Sequence, residues 1–247
     1  MGEFKKRKVI LYFTDCEGTI AKDGSYDYDQ ENLFNLLDQL AKLEKITGAE
    51  VKMHLISPTS HRQMAEFMQR LDSDIRKHYL LTGANNPDSK VACEIENAGA
   101  YYEYGTLESE IQGDNDFYTK ISNLNLPKGR DIRISQVKSA KEEYVSMWVK
   151  HYQQNELREL LMPIYSGNGE IDVQAIKFIN SVKNGYSICP SNSVEEVKNI
   201  ANFASDKRCI MGVTEGLEFL NKELEKRMKE REDSKRKEVP EGEEPEF

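Results

Sequence analysis

Asp15 and Glu17 stand two residues apart at the end of a short apolar run, Val9 to Phe13, and Gly18-Thr19 follows at once. Two carboxylates at i and i+2 beyond such a run suit a hard divalent cation, and Asp15 can also serve as a nucleophile. Gly18 lets the backbone approach an anion, and Thr19 adds a hydroxyl donor. A second cluster, Gly167-Asn168-Gly169 with Asp172 four residues past Asn168, offers an amide oxygen and a carboxylate on a tight loop. These too are hard oxygen donors of the kind magnesium takes. Ser57 and Thr59 follow another apolar run, and Lys141 opens a helical pattern. Each residue has an ordinary alternative. The acidic pair makes a turn, Asp172 or Ser57 caps a helix, and Lys141 faces solvent.

The elements that must hold these residues are legible from periodicity. Val9–Phe13 and Val51–Ile56 are strand-like, as are Tyr79–Leu81, Met162–Tyr165, Tyr186–Cys189 and Arg208–Met211. Leu33, Leu36, Leu37, Leu40 and Leu43 recur at helical spacing, and Gly48 closes that helix. Further helical faces run through Met64–Leu71, Tyr144–Val149, Val173–Val182, Val197–Ala204 and onward from Thr214. Ser193-Val194-Glu195-Glu196 has capping-box spacing. Strands alternating with helices predict an α/β fold with a doubly wound parallel sheet, which binds ligands beyond the carboxyl ends of its strands. Asp15, Ser57 and the Gly167–Asp172 loop all fall at such ends. The predicted organisation is a core of residues 1–83 and 136–221, and a small cap or insertion at 84–135. A charged tail, 222–247, has too few apolar side chains to order all of its length.

The 247 residues carry a net charge of −9. That balance argues against a broad nucleic-acid or anionic-membrane surface, which needs a basic footprint. No apolar run approaches the length of a membrane span. The four cysteines form no C-x-x-C pair, so a reducing, cytoplasmic setting is expected. The histidines lack metal spacing, and His54, inside a strand, reads as structural.

Leu11-Tyr12-Phe13-Thr14-Asp15-Cys16-Glu17-Gly18-Thr19-Ile20 resembles the first motif of the haloacid dehalogenase superfamily, an apolar strand followed by D-x-D-G-T. Ser57 after His54-Leu55-Ile56 is similar to the second motif, and Lys141 to the third-motif lysine. Gly167-Asn168-Gly169-Glu170-Ile171-Asp172 resembles the fourth, G-D-x-x-x-D. The resemblance implies a Rossmann-like core with a reduced cap and a magnesium-dependent phosphatase acting on a small phosphorylated metabolite. Asp15 would form an aspartyl-phosphate, Ser57 would donate to phosphate, and Lys141 would neutralise developing charge. Gly18, Thr19 and Thr59 would line the phosphate. Asp15, the Glu17 carbonyl, Asn168 and Asp172 would hold or orient Mg2+. Two positions depart from the pattern: Glu17 replaces the acid-base Asp, and Asn168 replaces an Asp ligand. Weaker magnesium binding is expected, and a catalytically impaired protein that keeps the fold as a binding or regulatory module is the alternative.

Overall fold

The computed structural model describes residues 6–57, 67, 70, 71, 73, 74, 141–155 and 157–237, together with the backbone of three strands at 91–95, 100–103 and 131–134. The order is β1 (Arg7–Asp15), α1 (Gln30–Thr47), β2 (Glu50–Ser57), β3 (Val91–Ile95), β4 (Ala100–Glu103) and β5 (Asp131–Ile134). Then come α2 (Lys141–Gln153), β6 (Arg158–Ser166), a single 3-10 turn (Glu170–Asp172), α3 (Val173–Ser181), β7 (Tyr186–Cys189), α4 (Glu195–Ile200), β8 (Phe203–Ala204) and α5 (Cys209–Lys237).

One sheet runs β5-β4-β3-β2-β1-β6-β7-β8. The pairs from β3 through β8 are parallel, and β4 and β5 add an antiparallel edge. The segments Val91–Ile95, Ala100–Glu103 and Asp131–Ile134 therefore contribute strand backbone to this sheet. Tyr79–Leu81 and Thr59 lie outside the described residues.

β1 explains the architecture. Ile10 and Tyr12 join the core on one face, against α1 and α5 through Leu36, Leu40, Val213 and Leu217. Val9, Leu11 and Phe13 join the core on the other, against α2 and α3 through Val145, Val149 and Ile176. A strand covered on both faces must be apolar at every position rather than at alternate ones, and Val9 to Phe13 are all fully buried. β1 also has β2 on one side and β6 on the other, so the winding reverses there. That reversal opens a crevice beyond the carboxyl end of β1, where Asp15 is the last strand residue.

α1 begins at Asp29, whose side chain accepts from the Asn32 amide at 2.9 Å, and ends at Gly48 with φ +64°. The chain departs from sequence expectation at its end. Arg208–Met211 is not a strand. The last strand is the two-residue Phe203–Ala204, and Cys209 starts the 29-residue α5. The apolar Cys-Ile-Met run is the first turn of that helix, whose buried stripe runs through Ile210, Val213, Leu217 and Leu220. Nor does Ser193 cap α4: Val194 is the N-cap and makes no side-chain capping bond. No helix among the described residues is long and apolar enough to cross a membrane.

Candidate active site

Four chain segments meet beyond the carboxyl edge of the sheet. Asp15 ends β1, Ser57 ends β2, Lys141 opens α2, and Asp172 closes the short turn after β6. All four side chains are buried, Asp15 at 5%, Ser57 at 3%, Lys141 at 4% and Asp172 at 0% exposure. A cavity of about 440 Å³ lies over them, lined by Asp15, Glu17, Ser57, Asn168 and Asp172, with Asp23 and Tyr26 among its other walls.

The floor is one charged cluster. The Lys141 ammonium donates to Asp15 Oδ1 and, at 2.7 Å, to Asp172 Oδ1. Asp172 also accepts from the Tyr165 hydroxyl at 2.7 Å, and its Oδ2 takes the backbone amides of Asn168 and Gly169 at 3.0 and 2.9 Å. A carboxylate offers about four acceptor positions, and here all are used. Asp172 is the residue before α3 but makes no side-chain capping bond to it. Its carboxylate instead folds back on the loop that follows β6. Gly167 is glycine for the same reason: a Cβ there would lie 2.5 Å from the Asp172 carboxyl carbon.

Burial pushes the Asp15 carboxyl up to about 6; the Lys141 charge opposes this and Asp172 reinforces it. Burial also pulls the Lys141 ammonium down, but the two carboxylates outweigh it and hold the group above the ordinary lysine value. Nearby, His54 accepts or donates to the Tyr144 hydroxyl at 3.2 Å and is pushed down to about 3 by burial and by Lys52. It is a neutral core histidine.

The rim is a loop from Cys16 to Asp29. The amides of Thr19, Ile20 and Ala21 all lie 2.8–3.3 Å from the Cys16 carbonyl oxygen. Thr19 Oγ1 lies 3.0 Å from Asn168 Oδ1 and 3.3 Å from Asp15 Oδ2, so it links the β1 and β6 loops. Gly18 has φ +75°, and a Cβ there would meet Asn168 Nδ2 at 2.2 Å, so only glycine fits. Glu17 is exposed, and its Oε1 accepts from the Gly24 amide at 3.0 Å.

Asp15, Glu17 and Asn168 line one cavity and carry hard oxygen donors. That chemistry fits magnesium, which binds through one or two carboxylates and keeps several waters. Among the described residues no three His, Cys, Asp or Glu side chains form a metal-holding group.

No family model matches the chain, and no curated protein matches it. The chain is similar to several solved structures at low identity. YhjK from Bacillus subtilis, a haloacid dehalogenase-like hydrolase protein, has a TM-score of 0.48 at 19% identity, over 88% of this chain and 93% of that one. Trehalose-6-phosphate phosphatase from Aspergillus fumigatus gives 0.46 at 11%, over 88% and 93%. The 3-deoxy-D-manno-octulosonate 8-phosphate phosphatase from Moraxella catarrhalis, solved with magnesium, phosphate and KDO, gives 0.42 at 14%, over 86% and 85%.

The structure thus brings Asp15, Glu17, Ser57, Asn168 and Asp172 to the wall of one cavity, with Lys141 bonded to Asp15 and Asp172. Gly18 and Thr19, expected to line the phosphate, do not line it but pack against Asn168 behind the wall. It adds residues that the sequence does not reveal. Tyr165 looks like one more apolar core position. Asn192, in a Pro-Ser-Asn-Ser turn, donates to the Gly18 carbonyl at 2.8 Å and to Asp23 Oδ1 at 2.7 Å, and accepts from the Cys209 amide at 2.9 Å. Arg208 pairs with Asp23 alongside. The partners of Asn192 in the rim loop are far away in sequence, so no local pattern marks it.

Proposed function

We propose that this chain is a haloacid dehalogenase-type phosphomonoester hydrolase that uses Asp15 as its nucleophile. The observation that carries the reading is the buried Asp15–Lys141–Asp172 bridge at the floor of a polar cavity. A lone lysine held between two buried carboxylates is costly to build for stability alone. It is well placed to neutralise charge that builds up on a group attacked by Asp15.

In the first step an Asp15 oxygen attacks phosphorus and the bond to the ester oxygen breaks, leaving a phosphoryl group on Asp15 and a free alcohol. Ser57 donates to a phosphoryl oxygen, and Lys141 balances the charge. Glu17 gives its proton to the departing oxygen. In the second step Glu17 takes a proton from water, which attacks the phosphoryl group and releases phosphate and the Asp15 carboxylate. Asp172 holds Lys141 and the Asn168–Gly169 amides in place. Magnesium, held by Asp15, the Glu17 carbonyl and Asn168, would supply charge neutralisation on the phosphoryl oxygens. The substrate class is a small phosphorylated metabolite, in keeping with a cavity of about 440 Å³.

A second reading rests on Glu17 and Asn168. Glu17 carries an extra methylene and is engaged with the Gly24 amide, and Asn168 brings no charge. Under this reading the fold binds phosphate esters without turning them over. The deciding experiment assays purified protein with magnesium against a panel of phosphate esters. Turnover that disappears in Asp15→Asn supports the hydrolase, and turnover that persists in that variant removes Asp15 as nucleophile. Activity that appears only in the Glu17→Asp, Asn168→Asp double variant supports the binding module.

A further inference from the structure

A larger cavity, about 580 Å³, lies at the opposite edge of the sheet. Its walls come from the start of β1 at Lys8, the end of α1 at Ile46 and Thr47, the first residue of β7 at Tyr186, and one side of α5. Lys8 and Asp15 are seven residues apart on one strand, which places the two cavities about 23 Å apart. Nothing in the proposed hydrolase chemistry uses this second space.

Its lining divides by chemistry. Met162 and Leu220 are buried, and Leu161 and Leu224 are half-buried beside them. Lys8, Arg227 and Arg231 are exposed at its edge, against the one carboxylate of Glu223. No ion pair among the described residues takes up any of the three cations. Arg227 and Arg231 are four residues apart on α5, so they share a face, with Glu223 one turn before Arg227 as the one acidic group beside them. Tyr186 also lines the cavity, but its hydroxyl is shielded from solvent and has no hydrogen-bond partner among the described residues, so it is not open to a ligand in that space. Cavities of this size, mainly apolar with a few convergent polar groups, are typical of small-molecule sites.

We propose that this cavity is a second ligand site, which takes a small amphipathic anion. The apolar body rests on Met162, Leu220 and Leu224. The anionic head sits between the exposed Arg227 and Arg231 guanidinium groups. Charge complementarity selects the head, and the apolar wall selects against bare inorganic ions.

The test is a calorimetric titration of the full chain with octanoate, with 1-octanol and acetate as the neutral and headgroup-only controls. Saturable one-to-one binding of octanoate is expected, with 1-octanol and acetate much weaker. The Arg227→Ala, Arg231→Ala double variant, both positions exposed, should weaken octanoate by about tenfold. Tyr186→Phe, which removes a hydroxyl sealed from the cavity, should leave octanoate binding unchanged. Asp15→Asn should leave octanoate binding intact, which separates this site from the catalytic reading. The proposal is overturned if octanoate gives no saturable heat through the low-millimolar range, or if 1-octanol binds as tightly. An unchanged double variant, or loss of binding in Asp15→Asn, overturns it equally.

Discussion

Asp15, Lys141 and Asp172, at the floor of the cavity beyond the carboxyl end of β1, are almost wholly removed from water, whereas Glu17, Asp23 and Arg208 at its rim stand in it. The floor is held by charge against charge in a dry place. The rim is held by hydrogen bonds within a loop and by side chains reaching across to it, Asn192 from the β7–α4 turn, Arg208 from just before α5 and Asn168 from the β6 loop. Removing a partner from a buried charged cluster strands the others, while removing one from an exposed loop lets water take its place. Floor variants should therefore lose stability and turnover together, and rim variants should lose mainly turnover.

The sharpest way to break that contrast is Lys141→Met. It leaves Asp15 and Asp172 buried without their cation, and a loss of about 3–5 kcal/mol is expected in urea denaturation, with phosphatase activity falling below detection. A variant of unchanged stability would mean that the floor is wetter than its burial indicates.

The second test is pH, read in metal-free buffer. Asp15 has its folded value raised from 3.8 to about 6 by burial. Below about pH 3.8 the folded and unfolded chains both hold this proton. Between 3.8 and about 6 the folded chain keeps it and the unfolded chain has released it. The contribution of Asp15 is therefore fully present below pH 3.8 and lost as pH rises through 6. Asp15→Asn should flatten that part of the stability profile, whereas Glu17→Gln at the rim should not.

A smaller effect is expected for Asn192→Ala. It frees the Gly18 carbonyl and Asp23 from their shared donor, at a cost of about 1 kcal/mol. Turnover should fall by more than the stability change implies, since the loop that carries Glu17 loses its anchor. Steady-state kinetics beside a thermal melt checks this. Smallest of all is Arg208→Ala, which removes an exposed pair with Asp23. Its stability should move by no more than a few tenths of a kcal/mol. A larger change would show the rim to be as tightly built as the floor.

The same contrast governs what could be read from the sequence. Asp15, Ser57, Lys141 and Asp172 were legible because their types are unusual where they stand, just beyond apolar runs or at the head of a helix. Leu33 to Leu43 gave α1 through its spacing, and Gly48 gave its end. Tyr165 was not legible, because a tyrosine within an apolar strand looks the same whether its hydroxyl has a task or not. Asn192 was hidden by distance along the chain. The start of α5 was misread because a short apolar run fits a strand and a buried helical turn equally well. β8, two residues long, has no periodicity to find.

Both long edges of β1 are hydrogen-bonded to neighbouring strands, and the Tyr12, Ser166 and Thr14 hydroxyls stitch the ends of β1 and β6 together, with Thr14 Oγ1 donating to the Asp15 carbonyl at 2.9 Å. Asp15 is thereby mounted like an anvil. Under the hydrolase reading, a nucleophile so mounted cannot shift to meet its target, so the ester must be brought to it along one fixed line of approach.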